Sequence, residues 1–123
     1  MSSSLSDRCK SFVHACRGAV TLIATQPNAR IHLAVTLLVL LLAVLLEVDR
    51  LEWVAFIGAM GLVWMAEALN TAIEFLADEV SLEFRDRIKQ AKDVAAFGVL
   101  AASIAAAAIG LMVFAPKLSR FEG

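Results

Sequence analysis

The 123-residue chain has only two cysteines and a net charge of −1. Cys9 and Cys16 lie two helical turns apart, about 10 Å along an axis, too far for a disulfide within one helix. Their spacing matches no zinc motif, so both read as small apolar residues on a helix face. The near-neutral charge gives no case for nucleic-acid binding. The chain has no Gly-Ser linker, low-complexity tract or internal repeat. It also lacks a P-loop and a GxGxxG motif, which excludes the familiar soluble nucleotide folds. The N-terminus does not read as a signal peptide: the first apolar run begins near Ile31, behind a long charged segment, with no clear cleavage site.

The chain is instead rich in apolar side chains. It is 60% hydrophobic with a mean hydropathy of +0.78, against about 45–50% apolar residues in soluble domains. Its length suits one domain.

Residues 5–25 read as an amphipathic helix. Leu5, Cys9, Phe12, Cys16, Ala19, Val20 and Ile23 fall at 3–4 spacing, with Arg8, Lys10, His14 and Arg17 mostly off that stripe. Basic residues beside an apolar stripe suit a helix lying in a membrane interface. The sequence "TQPNARIH" breaks it at Pro27, and Asn28 is the expected cap of the next helix. Three spans are then expected, at 29–48, 52–77 and 93–115, with a charged cytoplasmic loop at 78–92. That loop is long enough for an extra helical turn or two. Trp53 opens the second span as an interfacial residue. The third is alanine-rich, with Gly98, Ala101, Ala102, Ala105, Ala106 and Gly110 offering small faces for helix contact, and Pro116 is expected to end it. The expected class is an all-α membrane protein: an amphipathic surface helix plus three transmembrane helices.

Lys and Arg placement orients it. Arg8, Lys10, Arg17 and Arg30 precede the first span, and Arg85, Arg87, Lys89 and Lys92 occupy the long loop, against Arg50 alone in the short turn. The positive-inside rule then puts the N-terminus and the long loop in the cytoplasm.

Within the second span, "EALNTAIE" carries Glu67, Asn70 and Glu74 at i, i+3 and i+7, on one helix face. Ionisable groups at mid-span cost about 2.5–3.5 kcal/mol on insertion scales, so they face protein, water or ligand. Lys92 and Asp93 open the third span on the same side, and Gln26 and Arg30 begin the first. Carboxylates, amides and a lysine at one depth are the material of a Mg²⁺–phosphate site. They are equally natural in a cation- or proton-coupled transport subunit, and a non-catalytic scaffold is a further alternative. Trp64 and Met60 read as packing. These residues alone fix no reaction.

"EALNTAIE" followed by "AKDVAA" at Ala91–Ala96 resembles the signature of the prokaryotic diacylglycerol kinases, small integral-membrane lipid kinases that include the undecaprenol kinases. The likeness runs from about Arg8 to Pro116. "NARIH" and the Glu52-Trp53 pair look more like the undecaprenol-kinase branch. The resemblance implies a homotrimer in the bacterial inner membrane. Its active sites, shared between neighbouring subunits, would face the cytoplasm and transfer the ATP γ-phosphate to a lipid alcohol, diacylglycerol or undecaprenol. By the same resemblance, Glu67 is the general base and Glu74 binds Mg²⁺. Asn70 orients groups in the site, Lys92 contacts phosphate and Asp93 supports the nucleotide. Arg17 and Gly18 match the family's basic-Gly pair beside the nucleotide. The chain departs from the pattern twice. Gln26 stands where the family usually has a metal-sharing glutamate, keeping one oxygen ligand but removing a charge. His14 stands where an aromatic residue is usual, and its ring can still stack.

Overall fold

A computed structural model describes residues 4–122, which form four helices. These are α1 (Leu5–Thr25), α2 (Pro27–Leu45), α3 (Arg50–Val80) and α4 (Asp86–Glu122). No strand occurs among the described residues. α2, α3 and α4 are each long and apolar enough to cross a membrane, so the all-α, three-span class expected from the sequence is the architecture found. The 31 residues of α3 extend about 46 Å, beyond a hydrocarbon core of about 30 Å.

α1 starts at a capping box in which the Asp7 N–H donates to Ser4 Oγ and the Ser4 N–H donates to Asp7 Oδ2, both at 3.2 Å. Leu5, Phe12 and Val20 are 79%, 70% and 68% exposed, so its apolar stripe is left uncovered within one chain. α1 and α2 abut with Gln26 alone between them. Gln26, not Asn28, is the N-cap of α2, and its side chain makes no capping bond. The cause is Pro27 at the first helical position: a residue before proline is driven to extended backbone, and Gln26 sits at φ −112°, ψ 113°. Arg30 fastens the junction, donating from Nε to the Ile23 carbonyl at 2.9 Å and from Nη2 to the Ala24 carbonyl at 2.6 Å. A cation on those carbonyls satisfies the end of α1 and complements its dipole.

α2 ends in a Schellman turn, with the Val48 N–H on the Ala43 carbonyl and the Glu47 N–H on the Val44 carbonyl. α3 opens with a second capping box between Asp49 and Glu52. A small core closes this end of the bundle. Ala43, Val48 and Phe56 are buried in it, and the Phe56 ring stacks on Phe114 of α4 at 4.9 Å. α4 does not stop at Pro116 as the sequence suggested; the helix continues to Glu122 with Pro116 inside it. The proline removes only one backbone donor, and Lys117, paired with Glu52 at 3.1 Å, ties the following turn to the start of α3. At the opposite end only residues 81–85 are non-helical, so most of the charged segment 78–92 belongs to α3 and α4.

The chain exposes 9128 Å², where a compact soluble protein of this mass would expose about 6,400 Å². Leu37, Leu41, Leu62 and Leu111 are all more than half exposed. Such surface is at home against lipid or other protein chains, not water.

Candidate active site

The buried face of α3 carries Phe56, Ala59, Val63, Glu67 and Thr71, an apolar stripe with a carboxylate set into it. Glu67 is 1% exposed. Its Oε2 has no hydrogen-bond partner, and neither do the buried Asn70 Oδ1 and Thr71 Oγ1. Each unsatisfied buried polar atom costs about 1–3 kcal/mol, so three within two helical turns single out this stretch of α3 as the candidate site. Asn70 and Glu74 are half-buried, on the way from Glu67 to the α3–α4 turn.

At that turn the Lys92 Nζ lies 2.9 Å from Asp78 Oδ1. Asp93 is exposed and held by Lys89 at 2.6 Å, one turn back. Both residues of the KD pair thus have carboxylate or ammonium partners that the sequence pattern did not reveal. Gln26 is half-buried at the α1–α2 junction. Its Nε2 donates to Thr25 Oγ1 at 3.2 Å, which leaves the amide oxygen for other use.

His14, Arg17 and Gly18 are exposed on α1. A Cβ at Gly18 would meet nothing within 4 Å, so packing within one chain does not require a glycine there. Gly18, Ala19 and Leu22 of α1 face Trp64, Ala68 and Thr71 of α3 across a cleft of about 610 Å³. The α3 side of this cleft is apolar apart from Thr71, and Glu67, Asn70 and Glu74 do not line it.

Among the described residues no three His, Cys, Asp or Glu side chains of one chain converge as a metal site. The Glu74 carboxylate and the Gln26 amide oxygen are hard oxygen donors. Mg²⁺ commonly takes one or two protein oxygens and completes its shell with waters and phosphates, and each of these two oxygens is of the chemical type it takes.

Sequence reasoning missed one neighbour of Glu67. The His32 Nε2 approaches Glu67 Oε2 to 3.5 Å from α2. His32 is the lone titratable residue in the run Ile31–Leu46, and that isolation was the available signal. Trp64, expected to pack, also hydrogen-bonds: its Nε1–H donates to Thr36 Oγ1 at 3.0 Å.

Three apolar helices of membrane-spanning length, one of them carrying a buried carboxylate, define a small integral-membrane protein. Residues 13–114 match the family model described as prokaryotic diacylglycerol kinase. The chain is 38% identical over 109 residues to an undecaprenol kinase of Bacillus subtilis, covering 89% of each chain. It is 37% identical over 109 residues to a diacylglycerol kinase of Synechocystis sp., covering 88% of this chain and 62% of the relative. Against a diacylglycerol kinase of Escherichia coli it is 37% identical over 70 residues, 57% of each. The chain belongs to the prokaryotic diacylglycerol kinase family, and the names of these relatives make it a membrane lipid kinase.

Proposed function

We propose that the protein transfers the γ-phosphate of ATP to the hydroxyl of a lipid alcohol, and that undecaprenol is its acceptor in preference to diacylglycerol. The observation that carries the transfer chemistry is Glu67: a buried carboxylate with an orphaned oxygen, on a helix long and apolar enough to cross a membrane. The choice of acceptor rests on the undecaprenol kinase that matches over 89% of both chains.

In this reading Glu67 takes the proton of the lipid hydroxyl as the hydroxyl oxygen bonds to the γ-phosphorus. The bond from that phosphorus to the β,γ-bridging oxygen breaks, ADP leaves, and the proton passes from Glu67 to water. Asn70, with its free Oδ1, orients the reacting groups. Lys92 exchanges its contact with Asp78 for phosphate oxygens, and Asp93 supports the nucleotide. His14, Arg17 and Gly18 hold the nucleotide from α1. Glu74 and the Gln26 amide oxygen would hold Mg²⁺, which would neutralise charge on the ATP phosphates. Phosphoryl transfer depends on positioning and charge neutralisation more than on covalent machinery, so four helices suffice. The site faces the cytoplasm from the bacterial inner membrane, and a homotrimer covers the exposed small-residue surface of α4.

The test is a mixed-micelle assay with labelled ATP and each lipid alcohol, on wild type and Glu67→Gln. Labelled undecaprenyl phosphate from wild type and a loss of about 10²–10⁴-fold in the variant are expected. No labelled lipid from wild type overturns the kinase reading; faster labelling of diacylglycerol overturns the choice of acceptor.

A further inference from the structure

His32 has no role in the phosphoryl transfer proposed above, yet its ring is bounded by Glu67 and Trp64. Its side chain is 20% exposed, with Nε2 3.5 Å from Glu67 Oε2. The Trp64 ring meets it edge-on, at 6.5 Å between centroids and 65° between planes. Trp64 is itself fixed by its bond to Thr36 Oγ1 at 3.0 Å, and that hydroxyl donates to the His32 carbonyl at 2.7 Å. His32 and Thr36 are one turn apart on α2, and Trp64 and Glu67 are one turn apart on α3. The four side chains thus form one braced patch between two helices. His32 also lines an apolar cleft of about 670 Å³ between α2, α3 and α4. The α4 wall of that cleft presents Ser103, Ala106, Ala107 and Gly110 near its middle, none of which titrates or carries charge.

We propose that His32 is a positioning residue for Glu67: its Nε2–H, directed at Oε2, holds the carboxylate in one rotamer and leaves Oε1 to take the proton of the lipid hydroxyl. The inference rests on the reading of Glu67 as the base. An N···O separation of 3.5 Å is longer than a formed hydrogen bond, as catalytic contacts commonly are before substrate seats. A free glutamate side chain has about 1.5–2 kcal/mol of rotamer freedom to lose, and a misplacement of about 1 Å at a reacting group costs about a hundredfold in rate. Oε2 has no other partner, so the imidazole is what stands ready to fix it.

The test uses the full chain in mixed micelles with whichever lipid alcohol wild type phosphorylates. His32→Leu fills the space without a donor, while His32→Gln places an amide N–H near the position of Nε2. Leu is expected to lower kcat about 10–100-fold with KM for ATP and lipid within about threefold, and Gln to recover most of that loss. In a Glu67→Gln background, His32→Leu is expected to add nothing further. Wild-type kcat in His32→Leu overturns the inference, as does a Gln variant no better than Leu, or full additivity with Glu67→Gln. Thr36→Val loosens the brace and leaves the ring in place, so it serves if neither His32 variant folds. A fall in kcat at unchanged KM is expected there, and wild-type kcat overturns the inference. A wild type that phosphorylates neither lipid overturns the kinase reading itself, whereas an active wild type matched by His32→Leu overturns this inference alone.

Discussion

Asp78 and Lys92 meet across the α3–α4 turn, with Oδ1 and Nζ 2.9 Å apart. The pair closes the end of the helical hairpin where the polar face of α3 emerges. Its side chains are 54% and 38% exposed, and exposed ion pairs contribute about 0–1 kcal/mol. Its value is therefore in where it holds the ammonium, not in stability. Lys92→Met is expected to raise KM for ATP about tenfold while leaving KM for the lipid and the thermal midpoint near wild type. Steady-state kinetics with each substrate varied, beside a melting curve in detergent, check this. A rise in lipid KM alone would place Lys92 at the acceptor instead.

Gln26 bears on the metal. A glutamine brings one neutral oxygen, and a glutamate would add a charge that a hard divalent cation favours. Gln26→Glu is expected to lower the Mg²⁺ concentration for half-maximal activity about tenfold, roughly 1.4 kcal/mol. The measurement is a Mg²⁺ titration of activity at fixed ATP, begun from chelator-treated protein that is expected to be inactive. An unchanged Mg²⁺ requirement would remove residue 26 from the metal site.

The three spans and the polar face of α3 were legible because both rest on local periodicity. Apolar runs of membrane length and an i, i+3, i+7 pattern need no tertiary partner to be recognised. What escaped was set by contacts between helices or by backbone detail. The proximity of His32 to Glu67 depends on how α2 is rotated against α3, which its nearly uniform apolar sequence does not encode. The pairing of Lys92 with Asp78 depends on where α3 ends and α4 begins. At Pro27 the local rule was sound but read one step too far. The proline begins α2, and its steric demand makes Gln26, not Asn28, the cap. At Pro116 the tertiary tie between Lys117 and Glu52 accompanies a helix that propensity alone would have ended.

Phe56 and Phe114 anchor the far end of the bundle. Phe56 is 3% exposed and stacked at 4.9 Å, so Phe56→Ala leaves a cavity worth about 3 kcal/mol. It lies about 16 Å along α3 from Glu67. The variant is expected to unfold at a lower denaturant midpoint, while kcat below that midpoint stays within about threefold of wild type. A large loss of kcat in folded protein would couple the two ends of α3.

Glu47 is the described non-glycine residue with positive φ, at 51°, and it occupies the position after the α2 C-cap where glycine is usual. A side chain in that left-handed region costs about 1–2 kcal/mol, offset in part by the greater unfolded-state freedom of a glycine. Glu47→Gly is therefore expected to stabilise the protein by about 0.5–1 kcal/mol, read as a higher denaturant midpoint in micelles. The substitution also removes a negative charge from the negative end of the α2 dipole, itself a small gain. Glu47→Ala separates the two effects, since alanine removes the charge and keeps the Cβ. The glycine variant should exceed the alanine variant if backbone strain is the cause. Equal midpoints for the two would assign the whole gain to the charge.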